Sequence, residues 1–335
     1  SWLREHTDAD VTRDDAGNVL AWRNEHADGD SLALVGHHDV VPPGEAQVDD
    51  GEYVVEERDG RLYGRGSADM KGALAAAMHA FRDAEVGGDG ALAFASFVGE
   101  EVGGEGARAA IEDGFVPDAA IVTEGSTGYS APGVTDVAVA HKGRRGSTVT
   151  ATGRAAHASE VAAGENAIYR ATDAVDVLRS LEFPATEVLG HELQGSLAVT
   201  EIEGGTAMNV IPERCTVTVD ERTVPDERAD LARVETVEGV TVDVDQDLPP
   251  MACDDPAFAD LVLEAADGAQ DGSPAHVVKP HATDAGWLAG AGTACVICGP
   301  AEQGEAHTAD ESVSLEVLEA CAGIYRRAAA AWSTP

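Results

Sequence analysis

Three short, almost wholly apolar runs constrain this chain most. Ser31–Gly36, Ala91–Val98 and Ala119–Val122 carry hardly a polar residue, so strands made from them need cover on both faces. Between them lie segments with helical signals. Ala68–Glu85 is rich in Ala, Leu and Met and is followed by Gly87-Gly88, and Gly106–Asp113 is a shorter helix. The resulting β-α-β-α-β order predicts a mainly parallel sheet flanked by helices. In such sheets ligands bind at the carboxyl ends of the strands.

The pattern changes near Gly143. Strand signals at Ser147–Ala151, Ser196–Ile202, Arg214–Asp220 and Val240–Val244 alternate with helices over Asn166–Leu181 and Asp226–Val237. This β-α-β-β-α-β order predicts a ferredoxin-like α+β unit. After Pro249-Pro250 the first style returns, with helices at Pro256–Ala266 and Leu315–Ala331 and strands at His276–Val278 and Ala294–Cys298. The economical division is a discontinuous catalytic α/β domain over residues 1–143 and 251–335, interrupted by a smaller domain over 144–250. Ser1–His6 reads as the end of a helix already under way, so the natural N-terminus is expected to lie further upstream.

The 335 residues include 61 acidic and 22 basic ones, a net charge of −39. A surface this acidic repels nucleic acid and anionic membrane, which argues against both as partners. No uninterrupted apolar run is long enough to span a bilayer, and no signal-peptide pattern opens the chain. The acids are spread evenly rather than gathered in a tail, a distribution that resembles proteins of extreme halophiles. Five scattered cysteines make no disulfide framework, so a reducing cytoplasm is expected. Cys295 and Cys298 sit in an apolar strand, three residues apart and pointing to opposite faces, a poor geometry for a redox pair.

Five places carry candidate chemistry: Gly36-His37-His38-Asp39, Asp69 at the expected start of the long helix, Gly99-Glu100-Glu101, Thr123-Glu124-Gly125 and Glu305-Ala306-His307. Singly, each has a bland explanation. A helix-start Asp is usually a cap, an acidic pair here is usually solvated surface, and a lone His is usually just hydrogen-bonded. Jointly they do not. The strand-end rule brings the first four groups to one rim of the sheet, where converging carboxylates repel unless cations neutralise them. Two imidazoles and three carboxylates suit two adjacent divalent ions sharing one carboxylate. Such a pair can polarise a carbonyl and activate water, while a carboxylate outside the coordination sphere serves as general base.

The motifs Gly-His-His-Asp-Val-Val-Pro, Gly-Arg-Gly-Ser-Ala-Asp-Met-Lys-Gly and Gly-Glu-Glu resemble those of the M20 metallopeptidases, as do Gly204-Gly205…Asn209-Val210-Ile211-Pro212 and Gly299-Pro300…His307. The resemblance runs in order along nearly the whole chain. It implies His37 and Glu124 on one ion, Glu101 and His307 on the other, and Asp69 bridging. The ions would be zinc, with cobalt or manganese as substitutes. Asp39 would orient His37, and Glu100 would be the base. His157, in Gly153-Arg-Ala-Ala-His157-Ala-Ser159, would stabilise the oxyanion, often from the partner subunit of a homodimer. His38 has no such role in the family, and Val161 stands where the family often has Pro.

The family acts on amides of small N-acyl amino acids and peptides. Asn209 and Arg222 fall where it holds substrate, although Arg222 could equally form a structural ion pair. Gly143-Arg144-Arg145-Gly146 and the Val-Val-Pro-Pro of the first motif resemble the succinyl-diaminopimelate desuccinylase branch, for whose carboxylate-rich substrate paired arginines would suit. Thr123-Glu124-Gly125 and His281-Ala-Thr283-Asp284 depart from that branch, leaving Thr283 as a substrate-binding candidate and the acetylornithine deacetylase and peptidase readings open. A non-catalytic metal-binding protein on the same fold would be expected to have lost Glu100 or a ligand, and neither is lost.

Overall fold

The computed structural model describes residues 1–86 and 90–332; Gly87-Gly88, expected to close the first long helix, lie outside them. The chain divides into two compact units. One comprises Ser1–His141, Met251–Lys279 and Thr283–Pro335; the other comprises Lys142–Pro250 and Pro280–Ala282.

The first unit is built on a sheet of nine strands among the described residues. Its centre is the parallel run Ala91–Phe97, Ser31–His37, Ala119–Val122 and Ala294–Ile297, in that spatial order. Antiparallel strands Val19–Arg23 and Asp10–Arg13 extend one side. Val137–His141 extends the other, pairing in parallel with His276–Lys279. The apolar runs are buried as expected. Alternate residues serve opposite layers. Ala33, Val35, Ala93 and Ala95 pack towards helices Glu105–Glu112 and Ala285–Gly290, whereas Phe94 meets Phe81 of helix Gly72–Asp83. The fully buried strand Val137–His141 was not foreseen, nor was the helix Ala285–Gly290.

The long helix begins later than its composition indicates. Ser67–Lys71 form an irregular turn with Asp69 at φ −121°, ψ 94°, and regular helix runs only over Gly72–Asp83. Asp69 is therefore not a helix cap.

The second unit has a four-stranded antiparallel sheet in the order Ser196–Gly204, Arg214–Thr223, Gly143–Thr152, Val240–Leu248. With helix Ala167–Arg179 packed on it, this is the ferredoxin-like arrangement. That helix starts where expected because the Asn166 side chain accepts a hydrogen bond from the Ile168 N–H at 2.9 Å. The second expected helix is reduced to a 3-10 helix, Leu231–Thr236. Its buried residues, Leu231 and Val234, are three apart, which suits three residues per turn. A hairpin of Ala185–Val188 and His191–Gln194 is an addition to the expected pattern.

In the first unit, Asn18 ties a distant turn to the loop that follows strand Ala91–Phe97. It is fully buried, donates to Asp14 Oδ2 (2.6 Å) and to the Gly106 carbonyl (2.9 Å), and accepts from the Val98 N–H (3.0 Å). Val98 and Gly106 bracket Glu100 and Glu101. Asn18→Ala removes the partner of the Val98 N–H and one acceptor contact of the Gly106 carbonyl, and should lower stability by about 2 kcal/mol. The measurement is the midpoint of urea unfolding, with the slope unchanged.

Candidate metal centre

His37 ends the strand Ser31–His37, between the strands that lead to Glu100 and Glu124. In register Phe97 lies opposite His37, and Val122 opposite Val35. Glu100, Glu101 and Glu124 thus leave the sheet at nearly the same level as the imidazole. The turn from Glu101 into helix Glu105–Glu112 passes through Gly104 at φ 72°. A Cβ there would lie 2.4 Å from Trp287 Nε1, so only glycine permits this close return of the chain.

The arrangement centres on Asp69. Its Oδ1 lies 3.1 Å from His37 Nε2 and its Oδ2 lies 2.8 Å from His307 Nε2. His37 Nε2 is also 3.3 Å from Glu124 Oε1, and His307 Nε2 is 3.1 Å from Glu101 Oε1. Donor atoms of His37, Asp69 and Glu101 lie within 4.8 Å of one another, as do those of His37, Glu100 and Glu124. His37 is buried, while the Asp69, Glu101 and Glu124 side chains are only slightly exposed and that of His307 is half exposed. His307 itself adopts φ 63°.

His37 Nδ1 faces the Asp39 carbonyl at 3.2 Å and Asp39 Oδ1 at 3.4 Å. A carbonyl can only accept, so Nδ1 carries a proton, and in its neutral form the ring would turn its Nε2 lone pair towards two carboxylate oxygens. Only a cation or a second proton makes that contact attractive. The donor set, imidazole nitrogen with carboxylates around a shared Asp, fits divalent ions of the zinc kind. Asp39 also accepts from the backbone N–H groups of Glu100 (3.3 Å) and Glu101 (3.2 Å). One carboxylate therefore fixes both the ring and the glutamate loop.

The titration behaviour expresses the crowding. Burial alone would lower the His37 pKa, but its hydrogen bonds to Asp39, Asp69 and Glu124 raise it well above the ordinary value. The Asp69 hydrogen bond pushes His307 up to about 9. Burial, then the Glu124 charge, hold the Glu100 carboxyl well above the usual carboxylate range, and burial with Asp69 raises Glu101. Asp39 goes the other way, down to about 2; burial opposes this, and the hydrogen bond and charge of His37 outweigh it.

The other sequence candidates fall in several places. His157 and Asn209, far apart in sequence, are brought together in the second unit, where Ala156–His157 pairs with Val210–Ile211 and the Ala158 N–H donates to the Asn209 carbonyl at 2.9 Å. Both side chains are exposed. The Ser159 N–H donates to His157 Nδ1 at 3.2 Å, which leaves the neutral ring with its proton on Nε2. Arg144 and Arg222 both pair with Asp220 at 2.7 Å, and Arg145 pairs with Glu221 at 2.7 Å. Thr283 is buried, with Oγ1 3.3 Å from His141 Nε2, and accepts from the Ala285 N–H at 3.2 Å. His38 hydrogen-bonds Ser96, away from the cluster. All five cysteines are buried as free thiols.

Three groups near the cluster were not singled out from sequence. Lys279 is buried and donates to the Gly125 carbonyl beside Glu124. Asp284 is buried with neither carboxylate oxygen hydrogen-bonded, and burial pushes it up to about 7. Glu311 is buried against Arg65 and the backbone at Asp69. For Glu311 the available signal was its position four residues after His307.

Fold and site together define a metal-dependent amide hydrolase. The model of the peptidase family M20/M25/M40 matches residues 33–331, and the chain belongs to that family. An acetylornithine deacetylase from Myxococcus xanthus is 31% identical over 350 residues, spanning 95% of this chain and 85% of the relative. Among solved structures, the aminopeptidase PepT from Bacillus cereus superposes with a TM-score of 0.77 at 22% identity, over 98% of this chain and 91% of that one. A Bacillus subtilis protein described as a dinuclear metal-binding peptidase of the M20 family gives 0.71 at 18% identity, over 98% and 89%. These two likenesses concern the fold.

The carboxylates around them raise the proton affinity of both His37 and His307. Metal ligation needs unprotonated nitrogen. Zn²⁺ uptake at pH 7 should therefore release protons, and apparent affinity should weaken as pH falls. Calorimetric titration in buffers of differing ionisation enthalpy reads this release; a heat independent of buffer would contradict it.

Proposed function

We propose that this chain is a two-zinc deacylase that hydrolyses the amide bond of an N-acetylated amino acid of the N-acetylornithine type. The observation that carries the site is the division of Asp69, one oxygen facing His37 and the other facing His307. On this reading His37, Asp69 and Glu124 hold one ion, and Asp69, Glu101 and His307 hold the other. When bound, the ions polarise the scissile carbonyl and acidify the attacking water. Asp39 keeps the His37 ring oriented and the Glu100–Glu101 backbone in place.

Glu100 acts as the base. It lies among the donors without sharing in the two imidazole–Asp69 contacts, and burial raises its proton affinity above that of an ordinary carboxylate. A carboxylate so placed can take a proton from water and return it to the leaving amine. His157, with its Nε2–H free to donate, stabilises the oxyanion, and Asn209 beside it holds substrate. The second unit is a lid and dimerisation domain, so that the working enzyme is a homodimer.

The acetyl assignment is supported by the deacetylase relative and by the state of the arginines. Arg144, Arg145 and Arg222 are each engaged by an acid of their own domain, which removes the main argument for a succinyl substrate with several carboxylates. The enzyme is cytoplasmic and works in concentrated salt, where screening relieves the mutual repulsion of its 61 acidic residues.

Two experiments test this. A panel of N-acetylornithine, other N-acetyl amino acids, N-succinyl-diaminopimelate and dipeptides, assayed in molar KCl with Zn²⁺, should give fastest release from the N-acetyl compounds. Dominant succinate release would overturn the acyl assignment. Glu100→Gln should retain both ions by elemental analysis while kcat falls by about 10²–10⁴-fold; loss of an ion instead would exchange the roles of Glu100 and Glu101.

A further inference from the structure

Asp69 and His307 come from segments 238 residues apart, and neither is held by regular structure of its own. Asp69 lies in the irregular turn before helix Gly72–Asp83, and His307 lies in a loop at positive φ. Something else must set the distance between them. Two short strands, Arg61–Tyr63 before Asp69 and Ser312–Ser314 after His307, pair antiparallel with Ser312 opposite Tyr63. One strand leads towards Asp69, and the other follows directly on Glu311.

Glu311 closes the gap. One carboxylate oxygen, Oε1, accepts from the N–H groups of both Ala68 and Asp69, each at 3.1 Å. The other, Oε2, accepts from Arg65 Nη1. The backbone joins in, since the Gly64 N–H donates to the Glu311 carbonyl at 3.0 Å. The Glu311 side chain is fully buried and that of Arg65 is 5% exposed. A buried ion pair contributes little to stability unless its remaining polar atoms are satisfied; here the backbone that carries the central Asp satisfies Glu311, while Arg65 Nε has no hydrogen-bond partner among the described residues.

We propose that the Arg65–Glu311 pair is a positioning device for the metal centre. It locks the Asp69 turn to the segment bearing His307, so that the two oxygens of Asp69 are presented to two imidazoles at once. Neither residue touches substrate or reacting atoms. This inference rests on the reading of Asp69 and His307 as ligands. It adds a pair of residues whose charge and reach set the geometry of the shared carboxylate, with the ion of Glu101 and His307 the more dependent, because Asp69 is bonded to Glu311 and His307 lies four residues before it.

The test is a Zn²⁺ titration of metal-free protein by calorimetry, with thermal unfolding of the same samples. The wild type should bind two ions; fewer than two would sink the reading of the site itself and not this proposal. The double variant Arg65→Met/Glu311→Gln removes both charges, so neither is left buried alone. It should still unfold cooperatively, but the weaker-bound ion should lose about 10–100-fold in affinity, the usual effect of removing a group that orients a ligand. Two ions bound with wild-type affinities would overturn the proposal. Glu311→Asp, which keeps both charges and shortens the reach by one methylene, guards against failure of the double variant to fold. It too should weaken that ion, raise its dissociation rate to chelator and lower kcat more than it changes KM, and unchanged affinity in it would equally overturn the proposal.

Discussion

The structure depends on one carboxylate facing two ways. Each oxygen of Asp69 meets a histidine nitrogen, at 3.1 and 2.8 Å, and the other donors arrange themselves around those contacts. Asp39, Glu100, Glu101, Glu124 and Asp284 crowd the same region, as their mutual effects on titration show. Carboxylates this close oppose one another's ionisation. Such a cluster persists only if the fold holds it, because its own electrostatics would disperse it.

The holding is done largely by backbone amides and buried cations. Asp39 takes the amides of Glu100 and Glu101, Glu311 takes those of Ala68 and Asp69, and Asn18 pins the two ends of the glutamate loop. Lys279 is buried beside Glu124 and Arg65 against Glu311, while the exposed Lys71 donates to the His38 carbonyl at 2.7 Å. Two of the three lysines in this acidic chain thus stand at the metal centre. Arginine makes paired contacts both there and elsewhere: Arg65 meets Glu311 beside Asp69, and Asp220 alone engages both Arg144 and Arg222.

Much of the site was legible before any fold was known. His37, Glu100 and Glu124 follow strands whose apolar runs are local signals, and the strand-end rule needs nothing more. The M20 motifs named His307 as well. The start of helix Gly72–Asp83 was less visible: Ser67–Lys71 have helix-compatible residue types, yet Asp69 is pulled out of helical geometry while its N–H bonds to Glu311, far along the chain. The 3-10 helix Leu231–Thr236 reads from sequence as part of a full helix, because spacing of three between buried residues suits both periods over so short a stretch.

What the sequence by itself determined is the setting: a mainly parallel sheet with His37 and several carboxylates at the ends of its strands. Only the tertiary structure decided which acids and bases are occupied by one another. Arg144, Arg145 and Arg222 look available to a substrate until strand pairing sets them beside Asp220 and Glu221. Glu311 looks like one more surface acid until it is buried against Arg65. The reason is physical. Strand and helix signals are written in neighbouring residues, whereas a charge acquires its partner through contacts tens to hundreds of residues away, and in a chain with so many acids no local pattern tells which one that partner will be.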